Sequence, residues 1–392
     1  MIGALTRLLG RLPIGLLQLL HNRNRLLAAI AGVAFADMLV FVQLGLSGSL
    51  TEAVQRQYRL FDADLLLLSA ADSDGLEEGS NVPRARLYQA LAHPDVADGA
   101  PLWVGRVVWN TDEGDTAALG AFALDPQHRH LLRDDLEPLF EPLTLLDTVV
   151  TDRDTRFLDM SRFDTASPDT PIPFELQGRR VQAVGTFGLG GGFAGDGGLL
   201  ASEQTFFRLL PRRSSAAPSH VLLRVAPGAD AERVGAELTA ELGPDQVTVR
   251  PIRTAMATAA EVQLRERPTG IIFAFGVLIG VTVGIVIAYQ VLATDVADHL
   301  GEYATFKAMG YPQSFFVGII LEEALILGVL GFIPGLGLAM AFYDGLAMRA
   351  GVPLFMTVDR AVVVFVGTLV ACSLSGVLAM RRLAAADPAD LF

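Results

Sequence analysis

The apolar positions of the chain collect into four long runs separated by polar segments. The runs occupy residues 26–48, 270–293, 314–343 and 361–379. A helix needs about 20 apolar residues to cross a membrane, and each run reaches about that length. The second and fourth runs contain no charged side chain, whereas the first holds Asp37 and Gln43 and the third holds Glu322 and Glu323. The pattern therefore predicts four transmembrane helices.

Residues 49–268, between the first two runs, have the mixed pattern of a folded α+β domain. Helical spacing continues past residue 48 and recurs over 252–267, which predicts two stalk helices flanking this domain. Strands are predicted at 63–69, 102–109, 118–124, 180–187, 221–225 and 246–250, and helices at 84–92 and 229–242. The last helix and its two flanking strands form a predicted β-α-β unit. The fold class is thus an all-α bundle of four transmembrane helices with a large α+β extracytoplasmic domain between helices 1 and 2.

Basic residues near the runs predict the orientation. Residues 1–25 carry four Arg and no acid, and Arg381 and Arg382 follow the last run. Both termini are therefore expected in the cytoplasm of a multi-pass inner-membrane protein, with 49–268 in the periplasm. The remaining segments are then a cytoplasmic loop (294–313), a short periplasmic loop (344–360) and a cytoplasmic tail (380–392).

Residues 1–25 have leucines at helical spacing, which predicts an amphipathic helix in the cytoplasmic interface. A tilted extension of the first span is the alternative. A cleaved signal peptide fits less well, because the following apolar run is too long and no small-residue cleavage site follows it.

Composition agrees with a membrane protein, since 51% of residues are hydrophobic, 19% are charged and the mean hydropathy is +0.42. The predicted domain holds 33 acidic and 21 basic residues, nearly all of the chain's net charge of -13. This acidity argues against nucleic acid as a partner. The single cysteine, Cys372, permits no intrachain disulfide.

Motifs for nucleotide or metal chemistry do not fit this sequence. A Walker A loop needs a Gly-Lys pair, but the only lysine, Lys307, follows Phe306. No cofactor is therefore expected in this chain, and ATP and Mg²⁺ would be bound by a partner. Residues 185–198 are rich in glycine but do not lead directly into a helix, which favours a flexible loop over a phosphate loop. His128 and His130 are interpreted as a solvated loop rather than a metal site.

Four polar residues inside the predicted spans are candidates for function, because such residues are costly in hydrocarbon. Asp37 lies near mid-bilayer, where it either fixes helix packing through hydrogen bonds or takes part in ion or proton movement. Gln43 is the second polar residue of that span. Glu322 and Glu323 are expected to face the bundle and the cytoplasmic loop.

The loop between the second and third spans predicts a short amphipathic helix. Tyr303, Phe306 and Met309 would share one face, Lys307 would lie beside Glu302, and Gly310 would end the helix. Such a helix is suited to docking in a groove of a partner.

Residues 302–310 resemble the signature that follows the second span in ABC-transporter permeases of the MacB and FtsX superfamily. Residues 26–37 with 43–45, and residues 323–335 and 386–390, resemble DevC-like exporter permeases, and the region 185–208 agrees with them as well. The resemblance implies a non-catalytic subunit that pairs as a homodimer and docks a separate ABC ATPase through the loop helix. It also implies a membrane-fusion adaptor and a TolC-like outer-membrane protein as partners.

The predicted function is export of a lipid, glycolipid or other amphiphile, driven by mechanical coupling to ATP hydrolysis. An FtsX-like regulator that activates a periplasmic cell-wall hydrolase without transport is the alternative. A membrane-anchored sensor is a third possibility, although no signalling domain is evident on the cytoplasmic side.

Overall fold

A computed structural model describes residues 14–385, apart from residues 22, 73, 74, 77–79, 112, 113, 193, 194, 351 and 353. The first half of the predicted N-terminal helix and the tail segment 386–390 lie outside these residues. The chain forms two compact units. The membrane unit contains residues 1–47, 271–347 and 354–392, and the outer unit contains residues 48–270 and 348–353.

The elements of the described residues are as follows. The helices are α1 (Ile14–His21), α2 (Arg23–Tyr58), α3 (Ala85–Leu91), α4 (Glu137–Phe140), α5 (Glu203–Leu209), α6 (Ala231–Leu242), α7 (Ile252–Arg265), α8 (Pro268–Asp298), α9 (Leu300–Ala308), α10 (Gln313–Ala350) and α11 (Val358–Ala385). The strands are β1 (Leu65–Ser69), β2 (Val96–Asn110), β3 (Thr116–Leu124), β4 (Thr148–Asp152), β5 (Ile172–Leu176), β6 (Arg179–Phe187), β7 (Gly197–Ser202), β8 (His220–Val225) and β9 (Val247–Pro251).

Four of these helices, α2, α8, α10 and α11, are long and apolar enough to cross a membrane. Together with the strand-rich segment between α2 and α8, they confirm the predicted fold class. Helices α8, α10 and α11 extend beyond their predicted spans, and α11 covers Val358–Ala385. Helix α8 continues to Asp298 and α10 continues to Ala350, so residues assigned to the adjoining loops are helical.

Helix α2 lies at the centre of the membrane unit, because glycines on two other helices let it approach closely. A Cβ atom at Gly280 of α8 would lie 2.9 Å from Val40 of α2, and one at Gly284 would lie 3.2 Å from Ala36. On α10, a Cβ atom at Gly335 would lie 2.9 Å from Asp37 Cβ. Small residues at such contacts are typical of helix packing in membranes.

The outer unit contains one nine-stranded sheet with the order β5-β6-β4-β7-β3-β2-β8-β1-β9. Strand β2 joins its two halves, since residues 96–102 pair with β8 and residues 103–110 pair with β3. Three of its strands, β4, β5 and β7, were not predicted. The predicted β-α-β unit is present as β8, α6 and β9. Val234 and Leu238 of α6 share a hydrophobic cluster with residues of β1, β8 and β9.

Both stalk segments belong to the core of the outer unit. Val54 and Tyr58 of α2 share a hydrophobic cluster with Ala255 and Ala259 of α7. The stalk part of α2 also contacts the glycine-rich loop between β6 and β7, because Arg56 donates to the Leu189 carbonyl at 3.3 Å. The first stalk thus contributes to the same core as the second stalk and contacts this loop.

A buried carboxylate fixes the glycine-rich loop, which was expected to be flexible. Asp152 is fully buried at the end of β4. Its Oδ1 accepts from the amides of Asp154 (3.1 Å) and Leu189 (3.0 Å), and its Oδ2 accepts from those of Gly190 (2.9 Å) and Gly198 (3.2 Å). The loop leads into a strand rather than a helix, so it does not have the form of a phosphate loop. The flexible-loop interpretation did not foresee this buried acceptor on a separate strand, which binds amides on both sides of residues 193 and 194.

Candidate coupling site

The loop helix α9 ends in the way that its sequence predicts. Gly310 has φ of +93°, a left-handed conformation that favours glycine. The Tyr311 amide donates to the Phe306 carbonyl at 3.2 Å, and the Gly310 amide donates to the Lys307 carbonyl at 3.0 Å. The rings of Phe306 and Tyr311 pack 5.6 Å apart. These bonds and this contact form a Schellman motif, which fixes where the helix stops.

The three apolar residues of α9 do not share one exposed face. Tyr303 is only 2% exposed and packs on Phe316 of α10 with ring centres 5.6 Å apart. Phe306 is half-buried against Tyr311 and Phe315. The prediction that Tyr303 and Phe306 form a docking face is therefore corrected, because the start of α10 folds back and covers them.

The exposed side of the loop helix is formed by other residues. Met309 is 61% exposed, and Glu302, Lys307 and Tyr311 are also exposed. The exposed residues of this segment thus include an apolar side chain, one acid and one base. Hydrophobic contact with a charged rim is a common composition for a small docking surface.

Helix α1 packs behind the loop helix. The Tyr303 hydroxyl donates to Gln18 Oε1 at 3.3 Å, and Leu16 and Leu19 are buried. A Cβ atom at Gly15 would lie 2.8 Å from Glu323 Cγ, so α1 and α10 are in close contact. One face of residues 14–21 thus packs on the bundle while Leu17 and Leu20 stay exposed, and the position of this helix in the membrane interface stays a prediction.

Charged groups cluster beside this contact. The Leu16 amide donates to Glu322 Oε1 at 3.4 Å, and Glu323 is fully buried without a hydrogen-bond partner among the described residues. Arg25 of α2 donates to the Val291 carbonyl at 2.8 Å and lies 2.5 Å from the Asp298 carboxylate of α8. The cluster thus connects α1, α2, α8 and α10.

Burial raises the pKa of Tyr303, and the negative charge of Glu323 raises it further. The phenol therefore stays protonated at neutral pH and can donate to Gln18. Its role here is to hold the loop helix rather than to react.

Asp37 and Gln43 lie apart from the coupling site, in the middle of the membrane unit. Asp37 Oδ1 accepts from the Thr368 hydroxyl at 2.6 Å, and Gln43 packs against Gly276. Whether Asp37 serves packing or ion movement stays a prediction. In the part of the chain that the structure describes, no three His, Cys, Asp or Glu side chains are grouped to hold a metal ion. His130 is instead hydrogen-bonded to Asp98 at 2.5 Å.

The helices that form this site match a known family. Residues 269–388, which cover α8 to α11, match the family described as FtsX-like permease C-terminal. The C-terminal membrane segment is an FtsX-like permease domain. The match covers about a third of the chain and agrees with the superfamily that the loop signature resembles.

This chain is similar to two solved structures at low identity. The periplasmic region of MacB from Actinobacillus actinomycetemcomitans aligns with a TM-score of 0.35 and 9% identity, over 51% of this chain and 94% of that chain. The extracellular domain of YknZ, a noncanonic ABC-type transporter from Gram-positive bacteria, aligns with a TM-score of 0.33 and 8% identity, over 48% of this chain and 98% of that chain. No curated protein matches the permease significantly.

Sequence reasoning missed the residues that support the loop helix of the permease. These are Gly15 and Gln18 on α1, Arg25 on α2, and Phe315 and Phe316 on α10. Only the aromatic pair could have been found from the sequence, since two adjacent phenylalanines soon after Pro312 are typical of a helix whose first turn is packed against other residues. The other contacts depend on positions far apart in sequence.

Proposed function

We propose that this permease is the membrane subunit of an ATP-driven exporter of the MacB and DevC type. It would act in the inner membrane as a homodimer, with an ABC ATPase that binds ATP and Mg²⁺ on the cytoplasmic side. The cargo would be a lipid, glycolipid or other amphiphile, delivered through an adaptor and a TolC-like outer-membrane protein.

The two-sided loop helix is the observation that carries this proposal. Its buried side is held by Gln18, Phe315 and Phe316, whereas Glu302, Lys307 and Met309 are exposed. A helix that is fixed on one side and free on the other transmits a partner's movement to the helices that hold it. A loosely attached helix would absorb the same movement.

The first span offers a continuous route for that movement. Helix α2 is one helix from Arg23 to Tyr58. Near its start, Arg25 contacts the end of α8, and near its end Arg56 contacts the glycine-rich loop of the outer unit. Rigid helices carry coupling between sites when their ends are held by specific contacts.

Co-purification of the ATPase tests the docking surface. Met309→Asp places a charge where an apolar contact is proposed, without disturbing the aromatic residues that hold the loop helix. We expect loss of the ATPase from the affinity-purified permease. Met348→Asp is the matched control, because Met348 is 81% exposed and lies at the other end of α10.

Retained ATPase in the Met309→Asp variant would contradict the assignment of this surface. The same purification distinguishes the two candidate functions, export and regulation of a cell-wall hydrolase. An adaptor protein in the complex supports export, whereas a cell-wall hydrolase in its place supports the regulator and contradicts export.

A further inference from the structure

A groove within the membrane unit has the features of a ligand site. It lies between α2, α8 and α11 and has a volume of about 230 Å³. An apolar cavity of about 150 Å³ is enough to hold a benzene ring, so the groove has room for part of an aliphatic chain. Its walls are formed mainly by valine, alanine and glycine, including Val40, Val281 and Gly367.

The groove opens on the side that would face lipid. Val281 of α8 and Val363 of α11 line it and are exposed. Gly367 is also exposed, and a Cβ atom there would meet no atom within 4 Å. In a membrane-spanning bundle, a ligand would therefore enter from the hydrocarbon phase.

A polar pair lies on the α2 and α11 walls of this apolar groove. Asp37 lines the groove, is only 6% exposed, and has no partner for Oδ2 among the described residues. The Thr368 hydroxyl lies 2.6 Å from Asp37 Oδ1 and 2.9 Å from the Val364 carbonyl, and its single proton can serve only one of them. An unmet acceptor is costly in hydrocarbon, where water cannot replace the missing donor.

We propose that this groove binds an aliphatic chain that carries a neutral hydrogen-bond donor, a hydroxyl or an amide N–H, part-way along its length. The donor pairs with Asp37 Oδ2 while the methylenes fill the space beside Gly367. A neutral donor fits better than a cation, because a charged group on the chain would have to cross hydrocarbon to reach this depth. As a site for the exported amphiphile, the inference rests on the proposed function.

Photo-crosslinking in lipid nanodiscs tests the site without ATPase or ATP. The full-length permease is reconstituted in phosphatidylcholine with a trace of a phospholipid whose acyl chain carries a diazirine and a mid-chain hydroxyl. We expect labelling of the peptides that contain Val281 and Val363. Unlabelled competitor with a mid-chain hydroxyl should displace the probe roughly fivefold better than competitor without it, the ratio expected for one neutral hydrogen bond.

Four variants give the outcomes that decide the proposal. Gly367→Leu fills the groove without a clash and should remove most of the labelling, whereas Gly337→Leu, also exposed and with open space around it, should not. Asp37→Asn keeps one acceptor oxygen, which can face the ligand because the Thr368 hydroxyl can accept from the amide and donate to the Val364 carbonyl. This variant should therefore retain the preference for the hydroxyl, which Asp37→Leu should lose. Unchanged labelling in Gly367→Leu, or equal displacement by the two competitors, would overturn the site.

The outcome for export is measured separately. Labelling as expected without ATP-driven release, once the ATPase is added, would support the site and contradict the export function. Export that proceeds equally well in Gly367→Leu would support the function and contradict the site.

Discussion

Asp152 is predicted to be the main support of the glycine-rich loop. Asp152→Asn removes one of the two carboxylate oxygens that accept hydrogen bonds from the backbone amides. The carboxylate binds four backbone amides and is fully buried. In asparagine one oxygen becomes an NH₂ group, so two of these amides lose their acceptor. A buried donor left unsatisfied costs about 1–3 kcal/mol, which gives a loss of roughly 2–6 kcal/mol.

Charge removal offsets part of that loss. Burial raises the pKa of Asp152, because desolvation of the carboxylate outweighs its backbone hydrogen bonds. The neutral amide avoids this desolvation, so we expect the lower part of the range, about 2–3 kcal/mol. With a urea dependence of about 2–3 kcal/mol per molar, the unfolding midpoint should fall by roughly 1 M.

Tryptophan fluorescence of the full-length permease measures this midpoint for the outer unit alone. The chain has two tryptophans, Trp103 and Trp109, and both are buried in the outer unit. Asp154→Asn is the matched control, since Asp154 is exposed two residues further along. An unchanged midpoint in Asp152→Asn, or an equal shift in Asp154→Asn, would refute the support that we assign to Asp152.

Two further predictions concern the loop helix and an ion pair of the outer unit. Gly310→Ala strains a left-handed position and should destabilise the C-terminus of α9 by about 1 kcal/mol, whereas Gly301→Ala, inside α9 with open space around it, should stabilise the helix by about 0.5–1 kcal/mol. Hydrogen exchange of the loop peptide should quicken in the first variant and slow in the second; equal exchange would argue against the helix end described here. For Asp98, partial burial raises the pKa, but hydrogen bonds from His130 and the Gly99 amide lower it by more, so the net shift is downward. Because the folded pKa lies below the unfolded value, the stabilisation is complete above about pH 4 and is lost as the pH falls through the folded pKa. Wild type should therefore lose up to about 1 kcal/mol relative to Asp98→Asn on acidification, as measured by tryptophan fluorescence, and parallel pH curves for the two proteins would contradict this.

The strands that the sequence did not predict have physical reasons for being missed. All six residues of β7 are buried, so the strand lacks the alternation of apolar and polar residues that marks a strand with one solvent-exposed face. The strand also begins with two glycines. The five residues of β4 are buried as well. Strand β5 contains Pro173, which normally counts against a strand, but β5 lies at the edge of the sheet where a missing donor is tolerated. The four spans were predictable because hydrocarbon imposes length and composition on each helix separately.

The residues of the coupling site also differ in whether their sequence could predict their structure. Gly310 could be predicted because a helix end depends on a few neighbouring residues. The burial of Tyr303 could not, because it depends on Phe316 in the next helix and on Gln18, 285 residues earlier in the chain. An aromatic residue at helical spacing predicts a buried face but does not identify what buries it.

This difference changes how mutations in the loop helix should be interpreted. Replacing Tyr303 or Phe306 by a polar residue would remove contacts with α1 and α10, so the loop helix would detach and ATPase binding would fail for a structural reason. Met309 makes no comparable contribution to the bundle, because most of its surface is exposed. Loss of binding at Met309 therefore reports the docking contact itself. The exposed charges of Glu302 and Lys307 would act mainly on orientation and association rate, since exposed charges contribute little to affinity.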